Sequence, residues 1–334
     1  MLPFHEIHAM SETVDRDWCS PVADAAAAAW GHAPRAARWW RSSASHVFVL
    51  PGTPTTARAY LRLTPAARTS AERVRTVARL TTVLAGRGVR AAVPLPSTRG
   101  ALVEEVDTAL GPMLVTCVVA APGEPVGLAG LTAERARAWG GALAALHAAA
   151  AGAEASDGAG LPSLLEQVDD AVAALATDRV AVDAARAVRA ELATLPRTGR
   201  GYGLVHGDLE LDNLAWEGDV PTSFDHDEAG WSWYVADLAY AVRDLTEGGR
   251  PRPGRAPLLD AVVGGYLEMR PVLEADLPLL PLFARAHAAV CLAEVQAALE
   301  GAEPLDEAVL PELRRDLATL ADHHRTELLG GSAA

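Results

Sequence analysis

A change of hydrophobic period near Pro122-Gly123 constrains the fold of this chain more than any other feature. Before it, apolar residues gather in short runs with aromatic or β-branched side chains, at 36–41, 46–50, 57–63, 101–106 and 113–119. The runs are separated by turn-forming stretches such as SSAS, PGTPTT and residues 107–112, so they read as strands of a small, mostly antiparallel sheet. One long helix is inserted among them: it opens at Thr69, carries Val74, Val77, Leu80, Thr81 and Leu84 on one face, and closes at residues 86–88. A shorter helix, residues 21–30 stopped by Gly31, precedes the strands.

After Pro122-Gly123 the helical period takes over, at 132–149, at 164–195 as one or two helices, and from Tyr234 onward with breaks at 248–257 and 303–304. Strand-like pieces return at 203–206, 214–216 and 222–224. The expected architecture is α+β, with residues 1–120 as a small antiparallel-sheet lobe and residues 121–334 as a larger, mainly helical lobe. A length of 334 residues, about twice the ~150 of a typical domain, agrees with two lobes.

Composition narrows the function. All 29 basic residues are Arg, there is no Lys, and Asn213 is the one Asn in the chain. Residues 1–150 hold 15 Arg against 11 acids (+4), and residues 151–334 hold 14 Arg against 32 acids (−18). No broad basic surface follows from that balance, so a nucleic acid is not the expected partner. An anionic ligand suits the front half and a cationic one the rear. The most apolar run, 277–290, carries Arg285 and His287 and is broken by Pro278 and Pro281, so no membrane span is expected. Three scattered cysteines and an N-terminus without an export pattern point to the cytoplasm.

The chemistry concentrates in residues 204–245, LVHGDLELDNLAWEGDVPTSFDHDEAGWSWYVADLAYAVRDL. A strand delivers His206-Gly207-Asp208, Asn213 follows five residues after the Asp, and Asp225-His226-Asp227 follows a short hairpin. Carboxylates gathered at ~4 Å repel by about 4 kcal/mol per pair at an effective dielectric of ~20. A fold that collects Asp208, Asp225 and Asp227 therefore needs a counter-charge, and oxygen donors with an amide among them suit Mg²⁺. Turn capping explains each of these residues singly but not the set.

This stretch resembles the catalytic and metal-binding loops of the aminoglycoside phosphotransferase family, with its H-G-D-x-x-x-x-N, Asp-x-Asp and D-L-A pieces in order, the last at Asp237-Leu238-Ala239. The resemblance implies a two-lobed protein-kinase-like fold. It also implies a phosphotransferase that uses Mg²⁺ and moves the γ-phosphoryl group of ATP (or GTP) to a hydroxyl of a small molecule. In it Asp208 receives or orients the hydroxyl proton, and Asn213 and Asp225 hold the metal. Asp237 anchors the loop. In the front lobe Arg62 stands where such folds carry a Lys on the phosphates, Glu72 is its pairing candidate, and Thr69-x-x-Glu72 also reads as a capping box. Ser43 and Ser45 belong to the turn expected over the phosphates, and Thr116 and Val118 to the connector expected to face the adenine. Asp227, Glu210 and Trp231 are the expected acceptor-side residues, the acids favouring an amino-bearing, cationic acceptor. The absent Lys and the glycine-free turn motivate an alternative, a silent nucleotide-binding protein. A metal-dependent phosphoester hydrolase using His206 and His226 ranks last, because His226 should point away from its two Asp neighbours. His147 reads as a buried core histidine, and His323-His324 as solvated surface.

Overall fold

The computed structural model describes residues 1–52, 57–300 and 311–331. The expected turn at 53–56 and the break at 303–304 lie outside the described residues. Two compact units emerge: Met1–Val83 with Ala92–Ala120 and Ala297–Arg314, and Leu84–Ala91 with Ala121–Gln296 and Arg315–Ala334. Residues 84–91 and 297–314 thus depart from a contiguous division at residue 120.

The first unit holds α1 (Phe4–Glu12), α2 (Pro21–Ala28), β1 (Arg38–Ser42), β2 (His46–Leu50), β3 (Ala59–Pro65), most of α3 (Ala71–Gly86), β4 (Glu104–Thr108) and β5 (Gly111–Val119). Its sheet is antiparallel in the order β1-β2-β3-β5-β4. Along β3 burial alternates: Leu61 and Leu63 point into a core shared with Phe48, Leu50, Val115, Cys117 and the α2 residues Val22, Ala23, Ala26 and Ala27. The α2 helix starts at Ser20, whose Oγ accepts from Val22 N, with Pro21 at its first position.

Two boundaries differ from the sequence expectation. Ser70, not Thr69, caps α3, because its Oγ accepts from Arg73 N (3.1 Å); Glu72 is left exposed in the first turn. The β4–β5 hairpin closes at Ala109-Leu110, so β4 lies two to three residues later than expected. Thr108 sets that register: its Oγ1 donates to Gly111 O and accepts from Leu110 N, while Gly111 takes a φ of 94°.

The second unit contains β6 (Glu124–Pro125), α4 (Ala133–Ala151), α5 (Leu164–Ala174), α6 (Arg179–Thr194), β7 (Tyr202–Val205), β8 (Leu214–Glu217), β9 (Val220–Ser223), β10 (Gly230–Trp233) and α7 (Tyr234–Ala241). It continues through β11 (Thr246–Glu247), β12 (Arg250–Pro251), α8 (Ala256–Met269) and most of α9 (Leu280–Glu300) and α10 (Pro311–Leu328). Asp178 separates α5 from α6 as the N-cap of the latter, its Oδ1 accepting from Ala181 N. The α4 and α8 backbones touch: a Cβ at Gly140 would fall on the Val262 carbonyl and one at Gly265 on the Arg137 carbonyl. The span Leu273–Leu299 is long and apolar enough to cross a membrane by length and composition. Half of it is nevertheless buried inside the protein, where Phe283, Ala286, Ala289 and Leu292 join the core with Trp139, Leu143 and Tyr266.

Candidate active site

Two strand pairs and one helix position the chemistry of the second unit. β7 pairs antiparallel with β10, Val205 opposite Gly230, so the loop after Val205 emerges beside the start of β10, and α7, which follows the far end of β10, reaches back to it. Asp237, fully buried in the first turn of α7, grips that loop: His206 N donates to its Oδ2 (3.0 Å) and Gly207 N to its Oδ1 (2.8 Å). Burial opposes ionisation of Asp237, yet the hydrogen bonds from His147 and from the His206 backbone hold its carboxyl below the usual range. Burial keeps His147 neutral, so its Nε2–H donates to Asp237 (2.8 Å) and its Nδ1 accepts from the Tyr266 hydroxyl (2.7 Å). Gly207 stands at φ 84° with a Cβ position that would overlap the Glu228 carbonyl, which makes glycine obligatory there.

The loop presents Asp208 between two donors. Its Oδ1 accepts from Arg243 Nη1 at 2.7 Å and its Oδ2 from Asn213 Nδ2 at 3.0 Å. Asn213 Nδ2 also reaches the Asp208 carbonyl (2.8 Å), so the amide orientation is fixed from two sides. Arg243, two residues past α7, completes a bridge by pairing its Nη2 with Glu210. Burial would lower its pKa, but Asp208 and Glu210 raise it, and the guanidinium stays charged. Burial pushes the Glu210 carboxyl up to about 7, the negative charge of Asp208 adding to the shift and Arg243 opposing it. Glu210, expected on the acceptor side, thus has its nearest partner within the chain. Arg243 escaped the sequence reading, and its signal would have been a basic residue six positions after Asp237 in an acidic stretch.

Asn213 and Asp225 meet at the open end of the β8–β9 hairpin. Leu214 pairs with Ser223, and Phe224 N donates to Asn213 O (3.0 Å), which sets Asp225 one residue beyond that bond. Asp225 takes a left-handed φ of 63°, tolerated by Asp better than by most residues. With Nδ2 of Asn213 committed to Asp208, its carbonyl oxygen and the Asp225 carboxylate are both hard oxygen donors, the donor chemistry Mg²⁺ takes. The chain's residues fit such an ion. His226 turns inward instead: it is 6 % exposed, its ring lies 4.3 Å from that of His206, and its Nε2 lies 3.4 Å from Ser223 Oγ. His206 is itself occupied, accepting from Asp208 N at Nδ1 and donating from Nε2 to Phe224 O. Asp227 is half-buried in the same loop, and the Trp231 indole donates to Gly158 O (3.1 Å).

In the first unit, register places Arg62 opposite Thr116 and Val47, with Tyr60 opposite Val118, all on the face turned away from the Leu61–Leu63 core. Cys117 O and Val119 N bond to residues 95 and 93. Alternation then turns the backbone groups of Thr116 and Val118 into the β3 ladder rather than toward an adenine. Ser43 and Ser45 form the turn between β1 and β2, but Ser45 is 1 % exposed, so its hydroxyl is withdrawn from the surface where a phosphate would be met.

Solved structures share this fold. An amicoumacin kinase, hAmiN, in complex with AMP-PNP, Ca²⁺ and Ami, superposes with a TM-score of 0.71 at 18 % identity, covering 89 % of both chains. A microcompartment-associated aminopropanol kinase gives 0.63 at 20 % identity, covering 87 % of this chain and 90 % of that one. An uncharacterised protein of Deinococcus radiodurans is 34 % identical over 220 residues, 61 % of each sequence, so the chain spans about three fifths of that relative's length. The sequence pattern of the phosphotransferase enzyme family matches residues 40–275, which include strands β2 to β5 and the whole Asp208–Asp237 site, and the chain belongs to that family.

Proposed function

We propose that this protein is a small-molecule kinase that moves the γ-phosphoryl group of ATP or GTP to a hydroxyl of an amino-bearing acceptor. The observation that carries the reading is the Asp208 carboxylate held between Arg243 and Asn213, with Asp225 one residue past the backbone bond from Phe224 N to Asn213 O. Phosphoryl transfer depends on positioning and charge neutralisation more than on a strong base. Asp208 is positioned on both oxygens before any substrate arrives, ready to orient the acceptor hydroxyl and take its proton as the new O–P bond forms. Asn213 and Asp225 would hold Mg²⁺, which supplies neutralisation of the phosphate oxygens. Arg62, permanently charged on the outward face of β3, is the residue to hold the remaining phosphates in place of a Lys.

An amino-bearing acceptor is supported by the acids of the site loops, Asp212, Asp227 and Glu228, and by the −18 balance of residues 151–334. The named activity of the aminopropanol kinase, whose fold the chain shares, agrees with that class of acceptor. Asp227 and Trp231 remain the acceptor-side candidates, whereas Glu210 acts through Arg243.

Thermal unfolding with ATP or GTP, with and without Mg²⁺, tests the reading. At 100 times its dissociation constant a ligand adds about 2.7 kcal/mol. The expected result is stabilisation that requires Mg²⁺, is lost in Asp225→Asn, and is followed by phosphate transfer to amino alcohols. Nucleotide binding without transfer to any alcohol would favour the silent alternative, which the withdrawn Ser45 also fits.

A further inference from the structure

A second group of ligating side chains lies on the last helix, outside the Asp208 loops. His323, His324 and Glu327 of α10 each offer one ligand atom, all within 4.8 Å of one another. Glu327 is four residues from His323 and three from His324, the two spacings that bring helix side chains onto one face. The sequence reading leaves both histidines on a solvated surface. Instead, His324 is only 8 % exposed, and its Nδ1 is buried with no hydrogen-bond partner among the described residues. An orphaned buried ring nitrogen is costly, and it calls for a partner that the described residues do not supply.

A further observation fits a cation. Glu327 is oriented beforehand: its Oε1 accepts from Gly248 N (3.0 Å) in the β11–β12 turn, the kind of outer bond that fixes a ligating carboxylate. The charge of Arg243 is balanced by Asp208 and Glu210, and that of Arg325, next to His324 in the chain, by Asp178.

We propose that His323, His324 and Glu327 form a site for a borderline dication of the Zn²⁺ class, with water in the remaining position. Two imidazole nitrogens and one carboxylate oxygen match that ion, whereas Mg²⁺ prefers an all-oxygen set. A tetrahedral sphere with bonds of ~2.0–2.1 Å needs ligand atoms roughly 3.3 Å apart, so modest side-chain rotation closes the site. The bound ion would give His324 Nδ1 its partner and tie the end of α10 to the β11–β12 turn.

The test uses untagged, chelator-treated full-length protein in excess Mg²⁺, titrated with Zn²⁺ by calorimetry and with Co²⁺ by visible absorption. One ion per chain, ligand-field bands of nitrogen-bound Co²⁺ and a rise of at least ~2 °C in unfolding temperature are expected. His323→Ala and Glu327→Gln should each weaken binding at least ~10-fold, while Asp225→Asn leaves it unchanged. Glu327→Gln retains an acceptor for Gly248 N, so its effect reports the lost ligand and not a lost tether. Absence of stoichiometric binding, equal affinity in wild type and both α10 variants, or binding lost in Asp225→Asn would each overturn the proposal.

Discussion

Arg243 shows how much of this site depends on one side chain. Its fork spans two carboxylates, fixing Asp208 on the face opposite Asn213 and giving a half-buried Glu210 its counter-charge. Replacing it with Met keeps the bulk and leaves two acids facing each other, one of which must take up a proton. Arg243→Met should therefore lower kcat at least ~10²-fold, because Asp208 loses its position, with little change in the KM for nucleotide. Arg243→Lys should recover only part, since an ammonium cannot span both acids with the same geometry. Equal losses in kcat and in nucleotide affinity would mean that Arg243 acts on the phosphates. The sequence makes His206-Gly207-Asp208, Asn213 and Asp225 readable, because residue types with one chemical use fall at short fixed intervals and the sole Asn marks its own position. Arg243 is hidden among 29 arginines, and its partners are set by how α7 packs against the loop, which no local pattern records. Burial of Ser45 is hidden for the same reason.

At the scale of elements, legibility follows how local the determinants are. Strands β2, β3 and β5 carry their own alternation, and their existence is plain in the sequence; β4 is displaced toward the turn because Thr108 and Gly111 close the hairpin over two residues, a tighter turn than the stretch 107–112 suggests. The α1 helix is invisible: its N-cap is Pro3, without a capping side chain, and only Phe4 and Met10 are buried. The α4–α8 contact is the least legible feature, since Gly140, Gly141, Gly264 and Gly265 read as helix weakeners until the two backbones meet. That contact separates neighbouring glycines sharply. Gly140→Ala or Gly265→Ala drives a methyl into a facing carbonyl that belongs to a helix and cannot yield, and each should cost at least ~2 kcal/mol in urea unfolding. At Gly141 the nearest atom to an added Cβ is the Gly265 carbonyl at 3.9 Å, an ordinary contact, and Gly141→Ala should gain about 0.5–1 kcal/mol by removing a helical glycine. Similar stabilities for the Gly140 and Gly141 variants would rule out the close approach.

Over the whole molecule, buried imidazoles set the acid limit of stability. His46 in the first unit and His324 in the second are both pushed down to about 4 by burial, slightly opposed by Glu6 at His46 and reinforced by His323 and Arg243 at His324. Unfolded histidine takes its proton near 6.5, so between pH ~6.5 and ~4 the unfolded chain binds more protons than the folded one. Stability therefore falls as pH drops through that window, by up to ~1.4 kcal/mol per pH unit for each ring. Glu210 works the other way: its folded pKa of about 7 lies above the unfolded value, so protonation below pH 7 favours the folded state and offsets one ring. Most of the 43 acids remain ionised down to pH ~5, which leaves the interval from 6.5 to 5 to these groups and to the buried rings of His147 and His287, which burial also holds below the ordinary value and which act in the same direction as His46. In chelator, to keep metal off α10, unfolding temperature should decline across that interval. His46→Gln removes a titrating ring while keeping a polar partner for Ser42 Oγ, now 2.8 Å from His46 Nδ1, and should flatten the decline. Glu210→Gln removes the offset and should steepen it. A profile that stays flat in the wild type would mean that these rings gain protons inside the folded protein, with water reaching them through openings too brief for the folded structure to show.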